Sequence, residues 1–274
     1  MTQEPSAAAD ARPAQRPSAR PPKRQTRGSV PPALRFAVVV IVPVSSLLFR
    51  LRYRHGERIP TTGPVLLVAN HVSVVDPLAC ARLAWDHGRV PHFLAKQSVF
   101  RGWVGRILRA CGQIPVARYS ADAHEALSAA QADLAAGNLV VIYPEGSVTR
   151  DPGWWPMQAR TGVARLALTT DAAVVPVAQW GPQRAHDYHA KRFHLRLRTP
   201  TDYLVGEPID LTAQRAALRA GAPLDAELLR ETTDLIMTRV RDQLAELRDE
   251  SPPPTFHPRP AAGELPGDVT GSAA

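Results

Sequence analysis

The chain has 274 residues, 45% of them hydrophobic, and its 33 Lys and Arg against 25 Asp and Glu give a net charge of +8. This composition excludes disorder throughout, and the lack of any apolar run of about 20 residues excludes a polytopic membrane protein. Two cysteines, Cys80 and Cys111, exclude a disulfide framework, and without a C-x-x-C pair they give no sign of a zinc site or redox motif.

The two ends of the chain differ from its middle. Residues 1–33 carry arginines and a lysine among prolines and small residues, which predicts a disordered basic arm. Residues 251–274 are again rich in proline and predict a disordered tail. The stretch between them, with its folded part at residues 55–250, is long enough for one domain with a full core.

Residues 36–49 are apolar and stand between Arg35 and an arginine-rich stretch at 50–54. A cleaved signal peptide would need an A-x-A cleavage pattern, which is missing here. A buried core helix is a second interpretation, because apolar runs of about 10–14 residues are common in cores. We favour a third, in which residues 34–54 form a helical segment that dips into one leaflet, kinked at Pro43, with arginines at anionic head groups.

From Gly63 to about Glu250, short β-rich runs alternate with amphipathic stretches, which predicts an α/β fold. We expect a single domain with a mixed, mainly parallel sheet flanked by helices, preceded by the short interfacial helix. The strand candidates are residues 64–70, 91–96, 113–117, 139–143 and 172–180, and residues 194–209 are also strand-like.

Helix signals lie between these strands. Asp76 is a candidate N-cap with Pro77 at the first helical position, and Gly88 ends that helix. The other helix candidates are residues 104–112, 121–136, 159–170 and 225–247.

The sequence NHVSVVDP places His71 and Asp76 where an apolar strand ends and a helix begins, which is where open α/β sheets build their sites. A tight turn would let the Asp76 carboxylate reach the His71 ring, fix its tautomer and stabilise the imidazolium that forms when the other nitrogen takes a proton. The alternative is structural: Asp76 caps its helix and His71 is an ordinary loop histidine.

A second group follows another apolar run in YPEGSVTR. Glu145, Gly146 and Ser147 permit a turn that could hold an oxyanion or a phosphate, or that simply contains a structural glutamate. A third group consists of basic residues, which are either ordinary solvated charges or a site for an acidic head group. Its members are Lys96, Arg101, Arg106 and Arg118.

In order, these segments resemble the four blocks of the 1-acylglycerol-3-phosphate acyltransferase family, the glycerolipid acyltransferases. NHVSVVDP is similar to the first block, N-H-x-S-x-x-D, and AKQSVFRGWVGRILRACGQIPVAR to the second. YPEGSVTRD is similar to the third, F-P-E-G-T-R-S, and VVPVAQWG to the fourth. Four blocks in order over about residues 34–210 make a chance match unlikely, so the structural interpretations lose weight.

The resemblance implies that His71 is the general base and that Asp76 orients it. His71 would deprotonate the free hydroxyl of 1-acylglycerol-3-phosphate, which attacks an acyl-CoA or acyl-carrier-protein thioester and gives phosphatidic acid without an acyl-enzyme. Lys96 and Arg118 would bind the acceptor phosphate. Two sets of residues complete the implied site: Glu145, Gly146 and Ser147 on the acceptor side, and Val175, Pro176 and Val177 beside the acyl chain.

The sequence departs from the family pattern in the third block. Ser147 replaces threonine and keeps the hydroxyl, whereas Val148 stands where many relatives carry arginine, and Arg150 is a candidate to replace that charge. This departure bears on the choice of acceptor more than on the type of reaction. The chemistry needs no metal and no cofactor, and the enzyme would work on the anionic cytoplasmic face of the cell membrane.

Other functions are compatible with these residues. The acceptor could instead be glycerol-3-phosphate, another lysophospholipid or a glycolipid. A silent membrane-binding module would have no need of the His71–Asp76 pair. Nucleic-acid binding by the basic arm is disfavoured, since its arginines lack interleaved aromatics.

Overall fold

The computed structural model describes residues 32–116, 123–194 and 196–259. Residues 1–31, 117–122, 195 and 260–274 lie outside the described residues, and they include Arg118, most of the predicted basic arm and most of the predicted tail. The helices are α1 (Pro32–Leu48), α2 (Asp76–Asp86), α3 (Gly102–Ala110), α4 (Ala123–Ala135), α5 (Gly162–Thr169), α6 (Thr212–Arg219) and α7 (Ala226–Arg248). The strands are β1 (Phe49–Arg54), β2 (Val65–Ala69), β3 (Pro91–Lys96), β4 (Ile114–Val116), β5 (Leu139–Ile142), β6 (Ala173–Trp180), β7 (His186–Asp187), β8 (Arg192–Phe193) and β9 (Thr199–Val205).

Within the described part of the chain, seven strands form one sheet in the order β1-β9-β6-β2-β5-β3-β4. The strands β6, β2, β5, β3 and β4 run parallel to one another, while β9 runs antiparallel to β6 and pairs in parallel with β1. This mixed, mainly parallel sheet flanked by helices confirms the predicted fold class. It also places the carboxyl ends of β2, β3, β5 and β6 at one edge, together with the start of β1.

Helices cover both faces of the sheet because its central strands are apolar on both sides. All five residues of β2 are buried, and they alternate between two hydrophobic clusters. Val65, Leu67 and Ala69 face the cluster that includes α2. Leu66 and Val68 face the cluster that includes α4, α5 and α7. Such near-continuous hydrophobic strands are typical of parallel sheets.

The segment 34–54, which we predicted as one helical element, is helix only to Leu48 and then becomes β1. The burial of FRLRYR alternates, with Phe49 buried and Arg50 exposed, so its period of two fits a strand at the sheet edge. Arg52 and Arg54, expected at lipid head groups, form ion pairs with Asp202 and Glu246 instead.

Helix α1 packs against the domain on one side only. Ser45 is fully buried, and Arg82 of α2 donates a 2.5 Å hydrogen bond to the Ser46 hydroxyl. On the other side Val39 is 70% exposed and Leu47 is 55% exposed. One face of α1 therefore packs on the domain, as a core helix would, and its other face leaves apolar side chains uncovered, as an interfacial helix would. None of the helices in the described ranges is long and apolar enough to cross a membrane.

Two further expectations need correction. Asp76 is the first residue of α2 and not its N-cap; Val75 holds that position, and the carboxylate points back into the preceding turn. The beginning of the predicted disordered tail is also ordered. His257 forms a backbone β-bridge with Met157, and the guanidinium of Arg241 lies 5.2 Å from the centre of the Phe256 ring, so backbone pairing and a cation–π contact hold this stretch.

Candidate active site

The turn between β2 and α2 is organised around one carboxylate oxygen. Asp76 Oδ2 lies 2.8 Å from His71 Nδ1, and it accepts hydrogen bonds from the backbone N–H groups of Val72 at 2.7 Å and Ser73 at 2.9 Å. Because Nδ1 faces a carboxylate, we assign the ring proton to Nδ1, which leaves Nε2 as the basic nitrogen. The His71 side chain keeps 13% of its exposure, whereas that of Asp76 is fully buried.

Burial raises the pKa of the Asp76 carboxyl, and the hydrogen bonds from His71, Ser73 and Val72 act against that rise. The second oxygen, Asp76 Oδ1, is buried without a hydrogen-bond partner among the described residues. An interaction between this carboxylate and a protonated His71 would be much less screened than one in water. The pair can therefore stabilise an imidazolium.

Tyr143, at the end of β5, fixes the His71 ring from a second direction. The two rings are stacked, with centroids 4.4 Å apart and an angle of 21° between their planes. Burial raises the pKa of the Tyr143 hydroxyl well above its ordinary value, so this side chain stays neutral. The imidazole is thus held at Nδ1 by Asp76 and on its face by Tyr143.

Glu145 connects the turn between β2 and α2 to a distant part of the chain. Its Oε1 accepts the backbone N–H of His71 at 2.8 Å, and its Oε2 accepts that of Met157 at 2.9 Å. The turn next to Glu145 requires Gly146, which has φ of 77°. Glu145 is 1% exposed and is occupied by backbone donors, so it shapes the pocket through the backbone that it holds.

Asn70 and Gln179 fasten the end of β2 to the end of β6. The Asn70 side chain donates to the Gln179 carbonyl at 3.1 Å and accepts from its N–H at 2.8 Å. The Gln179 amide in turn donates to the Asn70 carbonyl at 2.6 Å, and Tyr203 donates to its oxygen at 3.1 Å. This buried network fixes the residue that directly precedes His71.

The comparisons with known proteins agree with this geometry. The family model described as Acyltransferase matches residues 50–180, a span that contains all of β1 but its first residue, the His71–Asp76 turn and Glu145. Residues 50–180 form a domain of the acyltransferase family. The predicted family resemblance is therefore confirmed, and the matched residues begin inside β1, which we had assigned to the membrane segment.

The fold of this acyltransferase is similar to the crystal structure of the 1-acyl-sn-glycerophosphate acyltransferase from Thermotoga maritima. The two chains share 21% sequence identity with a TM-score of 0.54, over 81% of this chain and 80% of that one. At this identity the likeness concerns the fold. None of the curated proteins compared with the chain matches it.

Of the two residues expected to bind the acceptor phosphate, Lys96 lies on the β3 side of His71. Lys96 is the last residue of β3 and pairs in register with Val116 of β4. Arg118 lies outside the described residues. Strand β3 lies two strands from β2 and runs parallel to it, so Lys96 at its carboxyl end reaches the same edge of the sheet as His71. A contact between Lys96 and a phosphate stays a prediction.

The third block of the acyltransferase turns its small side chains inward. Ser147 is buried, its hydroxyl 3.2 Å from the Val148 carbonyl, and Val148 is only 2% exposed. Arg150 does not take the place of an arginine at position 148. It donates a 3.1 Å hydrogen bond to the Tyr188 hydroxyl and lies 4.9 Å from the centre of that ring.

The residues expected beside the acyl chain lie in the middle of β6. Val175 and Val177 are fully buried and belong to the core cluster beneath α2, in register with Leu67 and Ala69 of β2. Pro176 is also buried and faces the other way. A contact between these three residues and an acyl chain stays a prediction.

Sequence reasoning missed Asn70, Gln179 and Tyr143 as parts of the site. A glutamine inside the apolar strand AVVPVAQW was the signal for Gln179, because a buried amide requires polar partners. Asn70 lay inside the recognised block but was given no role. No sequence pattern indicated the stacking of Tyr143 on His71.

Glu145 makes the stability of this acyltransferase depend on pH. Burial raises the pKa of Glu145 from its ordinary value of 4.5 to about 8. The folded state therefore holds the proton more tightly than the unfolded state, and the stability gained below pH 4.5 is lost as the pH rises through about 8. We expect the unfolding free energy of wild type, relative to Glu145→Gln, to fall across this interval in urea titrations.

Glu231→Gln is the matched control, because it removes an exposed carboxylate from α7. The protonated state inferred for Glu145 would be contradicted by either of two results. The difference in unfolding free energy between wild type and Glu145→Gln could stay constant from pH 4.5 to 8, or it could grow in favour of wild type.

Proposed function

We propose that this acyltransferase moves a fatty acyl group from a thioester donor to the free hydroxyl of 1-acylglycerol-3-phosphate and forms phosphatidic acid. The observation that carries the proposal is the 2.8 Å contact between His71 Nδ1 and the buried Asp76 carboxylate, in a turn that retains the N-H-x-S-x-x-D pattern. The acyl donor is acyl-CoA or acyl-carrier protein, and no cofactor takes part.

In the proposed reaction His71 Nε2 removes the proton of the acceptor hydroxyl as its oxygen attacks the thioester carbonyl carbon. Asp76 holds the Nδ1 proton and stabilises the imidazolium. The tetrahedral intermediate collapses with cleavage of the carbon–sulfur bond, and the imidazolium returns its proton to the departing thiolate. The products are an ester and a free thiol, and His71 is again neutral.

Acyl transfer by membranes or detergent extracts containing the protein tests this proposal. We expect labelled phosphatidic acid from acyl-CoA and lysophosphatidic acid with wild type, and a loss of about two orders of magnitude or more with His71→Ala. His92→Ala is the matched control, because His92 also contacts an aspartate, Asp133, at 2.7 Å but lies at the start of β3, away from the site.

An unchanged rate in His71→Ala would overturn the general-base assignment. Turnover of glycerol-3-phosphate, another lysophospholipid or a glycolipid, but not of lysophosphatidic acid, would instead move the acceptor assignment to that lipid. A protein that binds vesicles and transfers no acyl group to any of these acceptors would favour the membrane-binding module.

The distribution of exposed apolar side chains supports a membrane-bound acceptor. Large hydrophobic residues exposed in the described part of the chain fall into four segments that adjoin the carboxyl edge of the parallel strands. One is α1, which leads into β1 at that edge; the others follow β2, β3 and β6. The residues are Val39, Val40, Val44, Leu47, Val74, Val99, Trp103, Val104, Phe193 and Leu197.

Because His71 opens at the same edge, a bilayer against these residues would present a lysolipid hydroxyl directly to the base. Exposed apolar residues gathered at one edge of a domain are typical of interaction sites. Arginines border it, including the exposed Arg50 and Arg101, which favours an anionic leaflet. We therefore propose peripheral or monotopic association with the cytoplasmic face of the cell membrane, to which the basic arm at residues 1–33 would contribute.

Replacing two apolar residues of α1 tests the membrane contact. In Val40→Ser/Leu47→Ser we expect the partition coefficient onto phosphatidylglycerol-containing vesicles to fall about tenfold or more, since burying one such side chain is worth about 1.5–3 kcal/mol. Vesicle sedimentation measures this partition coefficient. Ala213→Ser/Ala217→Ser is the control, because these exposed residues of α6 follow β9 and lie at the opposite edge of the sheet. Equal retention of both double variants would contradict the proposed contact.

A further inference from the structure

A cavity of about 400 Å³ lies beyond the carboxyl end of β6, beside the β7–β8 hairpin. It combines two guanidinium groups, an indole and an imidazole with a single carboxylate. The residues that line it are Trp154, Gln183, Arg184, Asp187, His194 and Arg196. This volume lies within the range of small-molecule sites, and the positive side chains favour a ligand with negative charge.

The hairpin beside the cavity is attached to the catalytic turn. The Ser73 hydroxyl, three residues before Asp76, donates a 2.9 Å hydrogen bond to the carbonyl of His186 in β7. The next residue, Asp187, lines the cavity. The cavity is therefore a neighbour of the site at which acyl transfer takes place.

Trp154, another residue that lines the cavity, is linked to the same turn through a second set of contacts. Thr149 donates its N–H to the His71 carbonyl at 2.8 Å, and its own carbonyl lies 2.9 Å from His189 Nε2. The His189 ring stacks on the Trp154 indole with centroids 4.0 Å apart and planes within 9°. Two hydrogen bonds and one aromatic stack thus separate this wall from the catalytic histidine, and they hold the indole in a fixed orientation.

The cavity and the expected acceptor site lie on opposite sides of His71. In the sheet, β2 carries His71, β6 adjoins it on one side, and β3 with Lys96 lies two strands away on the other. The cavity follows β6. Two substrates that react at His71 can approach it from these two directions, so a ligand in the cavity does not compete with an acceptor phosphate near Lys96.

We propose that this cavity binds the nucleotide head of the acyl donor, and that the donor of the proposed reaction is accordingly a CoA thioester. Guanidinium groups match phosphate in charge and in bidentate geometry, which assigns the phosphates to Arg184 and Arg196. Trp154 provides an aromatic surface for adenine, as bases stack on such side chains. An acyl-carrier protein offers a single phosphodiester and no base, so it would leave the indole and one guanidinium unused.

The remaining polar groups fit the same ligand. Asp187 is the only acidic residue lining the cavity among the described residues, and its Oδ1 accepts the N–H of Ala190 at 2.9 Å. A carboxylate can accept from a ribose hydroxyl or the adenine amino group. The flexible pantetheine arm would lead the thioester from the cavity to His71. This inference rests on the proposed function, which requires a thioester donor, and on the cavity, whose side chains fit the nucleotide head of CoA.

Kinetics of the full-length protein in lipid vesicles test the site. In Arg184→Gln/Arg196→Gln we expect KM for acyl-CoA to rise about tenfold or more, with KM for lysophosphatidic acid unchanged, because charge-assisted contacts to phosphate are lost. Arg219→Gln is the control; it removes an exposed guanidinium that pairs with Asp171. A rise in the KM of the acceptor instead, or no change in either KM, would overturn the assignment.

Calorimetric titration with CoA and with 3′-dephospho-CoA separates this inference from the proposed function. We expect wild type to bind CoA more tightly than its dephospho form, and the double variant to lose that preference. Binding of CoA that depends on the two arginines, without turnover, would uphold the cavity and defeat the proposed reaction. Turnover with arginine-independent binding would uphold the reaction and overturn the cavity.

Discussion

A single buried oxygen, Asp76 Oδ2, determines the geometry on which the rest of the site depends. Three donors converge on it, one from the His71 ring and two from the backbone of Val72 and Ser73. The chain can satisfy them together only in one tight turn between β2 and α2, and that turn sets the direction of the imidazole. The cost of burying the carboxylate is offset by these bonds and by the positive charge that it can stabilise on His71.

The sheet then arranges everything else around this turn. Asn70 and Gln179 join it to β6, Glu145 joins it to the segment at Met157, and Tyr143 of the β5 edge covers the ring. Because these strands are parallel, their carboxyl ends bring the base, the apolar surface and the cavity to one edge. In the reaction that we propose, a lipid acceptor and a polyanionic donor meet at His71 from different sides.

The central strands and the His71–Asp76 pair could be predicted from the sequence, because in these segments one residue pattern is typical of one structure. The apolar runs at residues 64–70 and 139–143 contain strands β2 and β5, in which every residue is buried, and the His71–Asp76 spacing indicated the pair. FRLRYR was misassigned because arginines read as membrane anchors also fit the exposed positions of an edge strand, where their acidic partners are more than 140 residues away in sequence. The stacking of Tyr143 on His71 and the cavity depend on contacts between segments far apart in sequence, which no local pattern encodes.

The most direct test of the account is a double-mutant cycle on the catalytic pair, with kcat/KM for acyl transfer measured in wild type, His71→Ala, Asp76→Asn and the combined variant. If Asp76 acts through His71, the combined variant will be no slower than His71→Ala alone, because a positioning group has nothing left to position. If the two losses instead multiply, the two residues act independently, and the oriented-base account is contradicted.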